Sequence, residues 1–418
     1  MSGEGQRVAA TRAPQFLIRV DPRLAVLFRR DLLDACLVIF LADVVTGMIS
    51  PTFSLYARSM GASLSFLGLL AATVGLVRLT LSIPLGVLSD WNRKWVLVGG
   101  MLVFMVSAAG LAVSPSAAWL FLPNALFGIG QIATFTLGIA YLGDRLPAEQ
   151  RGLGIALYTT CMGLGFGVGP ALAGWTQQEF GFGVTYELAA VIALAGAVYA
   201  AVQLKGRAVH ASTQRVYGGT SLRALLADRR IWAACLAQVL ISLTFNGVIV
   251  TFFPVLANEG LGLSAGVVGG IFAIRAFAST VLRLPAGLAE LTVEPRILMI
   301  GALVIEAATL VAIQATQSVV LLVILLAIEG ISFGLFLTSG QEFVIRLAGP
   351  RTRGGAMGIY ATAGSLGQSG GTLILGFIAQ SFGIRWVFLG VAAVVMFGLL
   401  AVVPLSLETR QVEVRSRA

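Results

Sequence analysis

Arg151–Phe182 reads RGLGIALYTTCMGLGFGVGPALAGWTQQEFGF, and Arg353–Ile384 reads RGGAMGIYATAGSLGQSGGTLILGFIAQSFGI. At a shift of 202 residues the two stretches share Arg151/Arg353, Gly152/Gly354, Tyr158/Tyr360, Thr160/Thr362, Leu164/Leu366, Gly165/Gly367, Gly169/Gly371, Gly174/Gly376, Gln178/Gln380, Phe180/Phe382 and Gly181/Gly383. A shift of 201 likewise pairs Gly61 with Gly262, Gly68 with Gly269, Pro84 with Pro285 and Gly86 with Gly287. A near-constant displacement of half the chain, held across several apolar segments, implies two repeated halves. Such a plan belongs to membrane transporters whose site lies at the midplane between the repeats.

Composition agrees. Hydrophobic residues make up 57% of the 418 and charged residues 11%, with a mean hydropathy of +0.92. A soluble domain carries roughly 25% charged residues, so the solvent of this chain is lipid. In lipid every backbone polar group must be satisfied internally, by helices or by a closed barrel. Barrel strands alternate apolar and polar residues over about ten positions; here the apolar runs are continuous for about twenty, which selects helices. Twelve segments result, at 32–57, 64–89, 95–113, 117–142, 153–175, 184–204, 231–257, 264–289, 297–315, 319–345, 354–378 and 385–405 (spans 1 to 12). The domain plan is a segment 1–31, a six-helix bundle 32–204, a linker 205–230, a second six-helix bundle 231–405 and a tail 406–418. Six spans per half make the halves parallel, related by an axis along the membrane normal.

Lysine and arginine bias sets the orientation. With the N-terminus inside, 23 of the 28 lysines and arginines fall in cytoplasmic stretches. Only Arg58 and Arg385 fall in outer loops, and Arg78, Arg275 and Arg283 fall inside spans. Both termini are then cytoplasmic, and no cleavable signal peptide is expected. The net charge of +9 is explained by anchoring against anionic lipid and calls for no nucleic-acid partner. Cys36, Cys161 and Cys235 lie in apolar runs without a disulfide or metal-ligand spacing. The single histidine, His210, sits in the linker, and no phosphate loop Gly-x-x-x-x-Gly-Lys-Ser/Thr is present. Enzyme chemistry, a cofactor, a metal and ATP-driven transport by this chain are therefore not expected.

Three stretches carry a family likeness. Pro84 precedes Gly86-Val-Leu-Ser-Asp90-Trp-Asn-Arg93-Lys94 after span 2. Asp144-Arg145-Leu-Pro147-Ala-Glu149-Gln-Arg151-Gly152 links spans 4 and 5. Span 5 holds Gly165-Phe-Gly-Val-Gly169-Pro170-Ala-Leu-Ala-Gly174. In these the chain resembles the major facilitator superfamily, its twelve-helix drug/proton antiporter-like branch in particular. The resemblance implies the major facilitator fold: an all-α membrane protein with twelve transmembrane helices in two six-helix pseudo-symmetric bundles, working by alternating access. It implies gating roles for Gly86, Asp90, Arg93, Lys94, Arg145, Arg151, Gly165, Gly169, Pro170, Gly174 and Arg353. Two departures stand out. Trp91 replaces the arginine that usually follows the aspartate, and Asn124 stands where the antiporter motif of helix 4 begins with arginine.

Asp90 and Arg93 are open to two readings, a charge latch released during rocking or a solvated helix end. Gly165, Gly169 and Gly174 place small residues on span 5 for close helix approach, and Pro170 removes a backbone donor; a hinge and ordinary small-residue packing are both open. Charges within spans are the sharper signal, because each is costly in lipid and faces a cavity or a partner. Asp43 and Arg78 lie at similar depth with opposite sign, as an ion pair or a site. Arg275, Glu306 and Glu329 lie near the middles of spans 8, 9 and 10. Glu329 is the first candidate for a protonatable coupling carboxylate and Asp43 the second, since burial disfavours the charged form of a carboxylate, which suits reversible protonation during a transport cycle. Glu306 is expected towards the outside of the bundle. Asn124, Gln131 and Asn246 are candidate cavity amides, alternatively interhelical glue.

The expected function is proton-coupled efflux of small amphipathic organic compounds by a secondary active antiporter. Its partners would be a small-molecule substrate, protons as coupling ion and membrane lipid, with the protein a monomer in the bacterial inner (plasma) membrane. Uptake or facilitated transport of an anionic metabolite on Arg78 and Arg275 is the alternative. A non-transporting receptor or assembly factor on the same scaffold is the third reading.

Overall fold

A computed structural model describes residues 28–89, 92–146, 148–206, 226–290, 292–348 and 352–407. Among the described residues all regular structure is helical, and every one of the twelve expected segments falls in helix. Span 1 is Arg30–Ser59, span 2 Leu64–Ser89 and span 3 Arg93–Ala112. Span 4 opens with a tight turn at Ala117–Leu120 and runs through Phe121–Gln131, Ile132–Thr136 and Leu137–Arg145. Spans 5 and 6 lie in Ala148–Gln203. Span 7 runs from Arg229–Ser242 through Leu243–Phe252 and Phe253–Val255 to Leu256–Gly260. Spans 8 to 12 are Ala265–Ala289, Pro295–Ala315, Val319–Leu347, Arg353–Phe382 and Ile384–Ser406.

Ten of the described helices are long and apolar enough to cross a membrane. One of them, Leu153–Gln203, has 51 residues, about 75 Å at 1.5 Å per residue, far longer than a bilayer core of about 30 Å. It is two crossings joined at Gly181, whose φ of 84° breaks the helical path. Arg353–Phe382 has the length, at 30 residues, but its glycines, serines and threonines make it less apolar, and it is not among the ten.

The four described residues with positive φ are Gly61 (82°), Gly181 (84°), Gly262 (68°) and Gly383 (96°). They form two repeat-related pairs, 61/262 and 181/383. Only glycine enters this region without a Cβ penalty, so the repeated glycines mark where both halves turn from span 1 to span 2 and from span 5 to span 6. Spans 4 and 7 depart from the regular period in another way. Ile132–Thr136 and Leu243–Phe252 are π-helical, a widened turn common at functional sites.

The chain forms two compact units. The first holds Met1–Ala62, Thr73–Ser212 and Ala257–Phe277, the second Ser63–Ala72, Thr213–Leu256 and Ala278–Ala418. In the first, span 1 is enclosed along nearly its whole length, with Leu32, Ala42, Val45, Met48 and Ala57 fully buried. In the second, the core gathers Ala302, Leu303, Leu326, Val387, Val391 and Val395 from spans 9, 10 and 12. Large apolar residues such as Ile83, Val202, Phe397 and Leu400 stand exposed on single helices, as lipid contact requires.

Candidate functional site

The first unit carries a polar cluster in the interior of its spans. Asp43 lies about 20 Å along span 1 at 1.5 Å per residue. Its carboxylate acts electrostatically on the Arg78 guanidinium of span 2 and on the Tyr158 hydroxyl of span 5. Arg78 Nη2 donates to Gln131 Oε1 of span 4 at 2.7 Å. The structure thus brings Asp43 and Arg78 together and adds Gln131. Immediately after Gln131 the π turn begins. Tyr158, fully buried, donates to the Thr134 carbonyl of that turn at 3.1 Å, while the Thr134 hydroxyl donates to Gly130 at 2.9 Å. Asn124 is buried on the same span. The tyrosine thereby ties span 5 to the widened turn of span 4.

Arg275 of span 8 belongs to the first unit and is 1% exposed. Glu329 and Asn246 belong to the second. Glu329 is fully buried. Asn246 sits in the π stretch of span 7, donating to the Ser242 carbonyl at 3.4 Å and accepting from the Thr251 hydroxyl through its own carbonyl at 2.7 Å. Beside it, Phe245 packs on Phe333 of span 10 with ring centroids 4.4 Å apart. Glu306, expected towards the outside of the bundle, is fully buried instead. Its helix is covered by spans 10 and 12, so the carboxylate does not snorkel.

The glycines of span 5 address two neighbours. Gly165 and Gly169 lie against span 1, and a Cβ on Gly165 would come 3.1 Å from that of Asp43. Pro170 presses on Gly47, its Cδ 2.8 Å from where a Cβ would sit. Gly174 instead meets span 8, where a Cβ would come 3.1 Å from the Cα atoms of Gly266 and Gly269. In the second unit the repeat-related pair Gly376 and Gly68 makes the same kind of crossing between spans 11 and 2, a Cβ on Gly376 coming 2.9 Å from the Gly68 Cα.

The remaining positions singled out as gates lie near helix ends. Gly86 has open space where a Cβ would project. Asp90 lies outside the described residues. Arg93 and Lys94 open span 3; Arg93 donates to the Ala140 carbonyl of span 4, and the Lys94 ammonium stands 5.3 Å over Trp95. Arg145 donates to the Lys205 carbonyl and lies 4.4 Å over the Tyr141 ring. Arg151 falls in the first turn of the Ala148–Gln203 helix, and Arg353 is the exposed first residue of span 11.

One polar pair escaped the reading of the sequence. Arg58, at the end of span 1, donates to both carboxylate oxygens of Glu259, at the end of span 7, at 2.7 and 2.9 Å. The signal was available: 58 and 259 are the same position of the 201-residue repeat.

The family described as Major Facilitator Superfamily matches residues 35–290 and 234–418. An MFS-type transporter of Methanocaldococcus jannaschii, MJ1560, is 21% identical over 344 residues, covering 81% of this chain and 88% of that protein. The quinolone resistance protein NorA of Staphylococcus aureus is 27% identical over 143 residues, covering 34% of this chain and 36% of NorA. Among solved structures, the nucleoside transporter NupG superposes with a TM-score of 0.77 at 16% identity, covering 90% of this chain and 99% of that one.

Proposed function

The chain belongs to the major facilitator superfamily, which makes it a secondary transporter of the membrane and not an enzyme; from that premise we propose that it exports small amphipathic organic compounds in exchange for protons. The carrying observation is the half-buried Asp43–Arg78–Gln131 cluster within the spans. A carboxylate facing a guanidinium there has two states that differ in net charge. Ionised, it holds Arg78; protonated, it leaves Arg78 to Gln131 and to any substrate group that enters. Such an exchange links proton occupancy to the arrangement of spans 1, 2 and 4. Glu329 is the corresponding candidate in the second unit, on span 10. The similarity to NorA over about a third of each chain and the glycine-proline stretch of span 5 favour export over uptake.

In this reading the chain works by alternating access, and Asn124, Asn246 and Arg275 are substrate-contacting positions. Gly86, Asp90, Arg93, Lys94, Arg145, Arg151 and Arg353 act at the cytoplasmic mouth, and Gly165, Gly169, Pro170 and Gly174 at the seams. The protein works as a monomer in a bacterial inner membrane with both termini in the cytoplasm. Proteoliposomes with an imposed pH gradient test the reading. Flux of at least one member of a panel of lipophilic cations and fluoroquinolones should follow the gradient. Asp43→Asn and Glu329→Gln should remove the dependence on it. Absence of gradient-driven flux for the whole panel would sink the proposal.

A second reading has its own observation, the nearly complete burial of Arg275. A guanidinium so placed suits an anionic metabolite, held by Arg275 and Arg78 through charge-assisted hydrogen bonds. Replacing both arginines by glutamine should then abolish anion binding while expression is kept. Unchanged anion binding would exclude it.

A further inference from the structure

Spans 1 and 5 run side by side in register. Gly165 meets Phe40 and Asp43, and Gly169 meets Val44 and Gly47. One helical turn earlier on both helices stand Cys36 and Cys161, whose thiols interact with each other. The glycine rungs explain the approach: they draw the two backbones together, and Cys36 and Cys161 form the next rung. Cys36 is buried and Cys161 half-buried, and both are free thiols.

We infer that Cys36 and Cys161 form a dithiol site for a soft, thiophilic centre, with trivalent arsenic as its type ligand, bridging span 1 to span 5. Two sulfur ligands favour a soft centre over a hard, oxygen-seeking one. With an aryl arsenous oxide, two As–S bonds form and the arsenic–oxygen double bond breaks. The two thiol protons leave with that oxygen as one molecule of water. Arsenic stays trivalent, so no oxidant or reductant is needed. The second sulfur is already beside the first, so the second bond forms at high effective concentration. A single thiol has no such advantage. The bridge would fix the seam one turn from Asp43 and beside Tyr158, whose hydroxyl interacts with both Cys36 and Asp43. This assignment does not depend on the substrate or on the direction of transport.

The test uses the full chain in detergent, carrying Cys235→Ser so that only the pair reports. After treatment with phenylarsine oxide and a monothiol wash, the protein is unfolded and labelled with a maleimide. Mass spectrometry should show one arsenical adduct and loss of labelling at Cys36 and Cys161 together. A dithiol such as 2,3-dimercaptopropanol should remove the adduct and restore both labels. Cys36→Ser and Cys161→Ser should each lose the adduct in the monothiol wash. An adduct that survives that wash in either single variant, or blocking of Cys161 alone, would overturn the inference. The two-site labelling of the chain that keeps both thiols decides the matter even where a single variant folds poorly.

Discussion

Tyr158 and Tyr360 occupy the same position of the repeat, and both are buried, yet their hydroxyls fare differently. Tyr158 donates to the Thr134 carbonyl within the π turn of span 4. Span 10, the corresponding helix, stays regular over Val319–Leu347, and the Tyr360 hydroxyl has no hydrogen-bond partner among the described residues. A buried hydrogen bond contributes about 1 kcal/mol, and an unmade one leaves a desolvated polar group. Tyr158→Phe should therefore lower the thermal midpoint in detergent, while Tyr360→Phe should leave it unchanged or raise it. Equal losses would contradict the geometry. Glu290 supports a second prediction at this scale. It follows span 8, and burial with the Glu342 carboxylate raises its pKa, against a hydrogen bond from Thr338 and the charge of Arg346. A folded-state pKa above the unfolded one means that the folded protein binds the proton more tightly. Stability is then greatest at acidic pH and declines as pH rises through the ordinary carboxylate range towards the raised value. Glu290→Gln should abolish that decline, raising the melting midpoint at neutral pH and leaving it alone in acid; an equal shift at both would refute the assignment.

At the scale of elements, the helices were legible because a run of about twenty apolar residues has few alternatives in lipid. The Asp43–Arg78 approach was legible too, from depth and sign. The π turns were not, because Ile132–Thr136 and Leu243–Phe252 carry no residue that marks a wider turn; it is the partner, Tyr158, that gives the first of them a use. The repeat identified which glycines matter but not what they touch, since a small residue names no neighbour. Their contacts now sort them. Gly68 has Gly376 Cα 2.7 Å and the Thr372 carbonyl 2.5 Å from where a Cβ would sit, whereas Gly358 of span 11 has open space. A methyl group at Gly68 must push the backbones of spans 2 and 11 apart, and overpacking of this kind costs roughly 1–3 kcal/mol. At Gly358 alanine only gains helix propensity, about 1 kcal/mol. Thermal melting of Gly68→Ala and Gly358→Ala should therefore move in opposite directions. Stabilisation by both would mean that spans 2 and 11 are not in close contact.

For the whole molecule, the informative contact joins two copies of one repeat position. Arg58 and Glu259 are those copies, and they touch each other within the first compact unit. Both precede a repeat-related glycine turn, Gly61 and Gly262, at the ends of spans 1 and 7 expected to face outside. The sequence displayed the two residues as ordinary loop charges, and the opposite signs at one repeat position became meaningful only with their side chains together. The pair is partly exposed, so it contributes about 0.2–1 kcal/mol, too little to hold the fold. It suffices to bias a conformational equilibrium, since about 1 kcal/mol changes a population ratio roughly fivefold. In an alternating-access transporter this bond has to break whenever the outer ends of spans 1 and 7 separate. Arg58→Ala and Glu259→Ala should each shift spin-label distances between those ends towards the longer, outward-open population, by up to about fivefold, with little change in melting midpoint. Exchange of the charges in Arg58→Glu/Glu259→Arg should return the distances to those of the parent, because the swap restores an ion pair between the same two positions. A swapped protein that stays as open as either single variant would show that the pair is a bystander and that the outer closure rests on the glycine crossings alone.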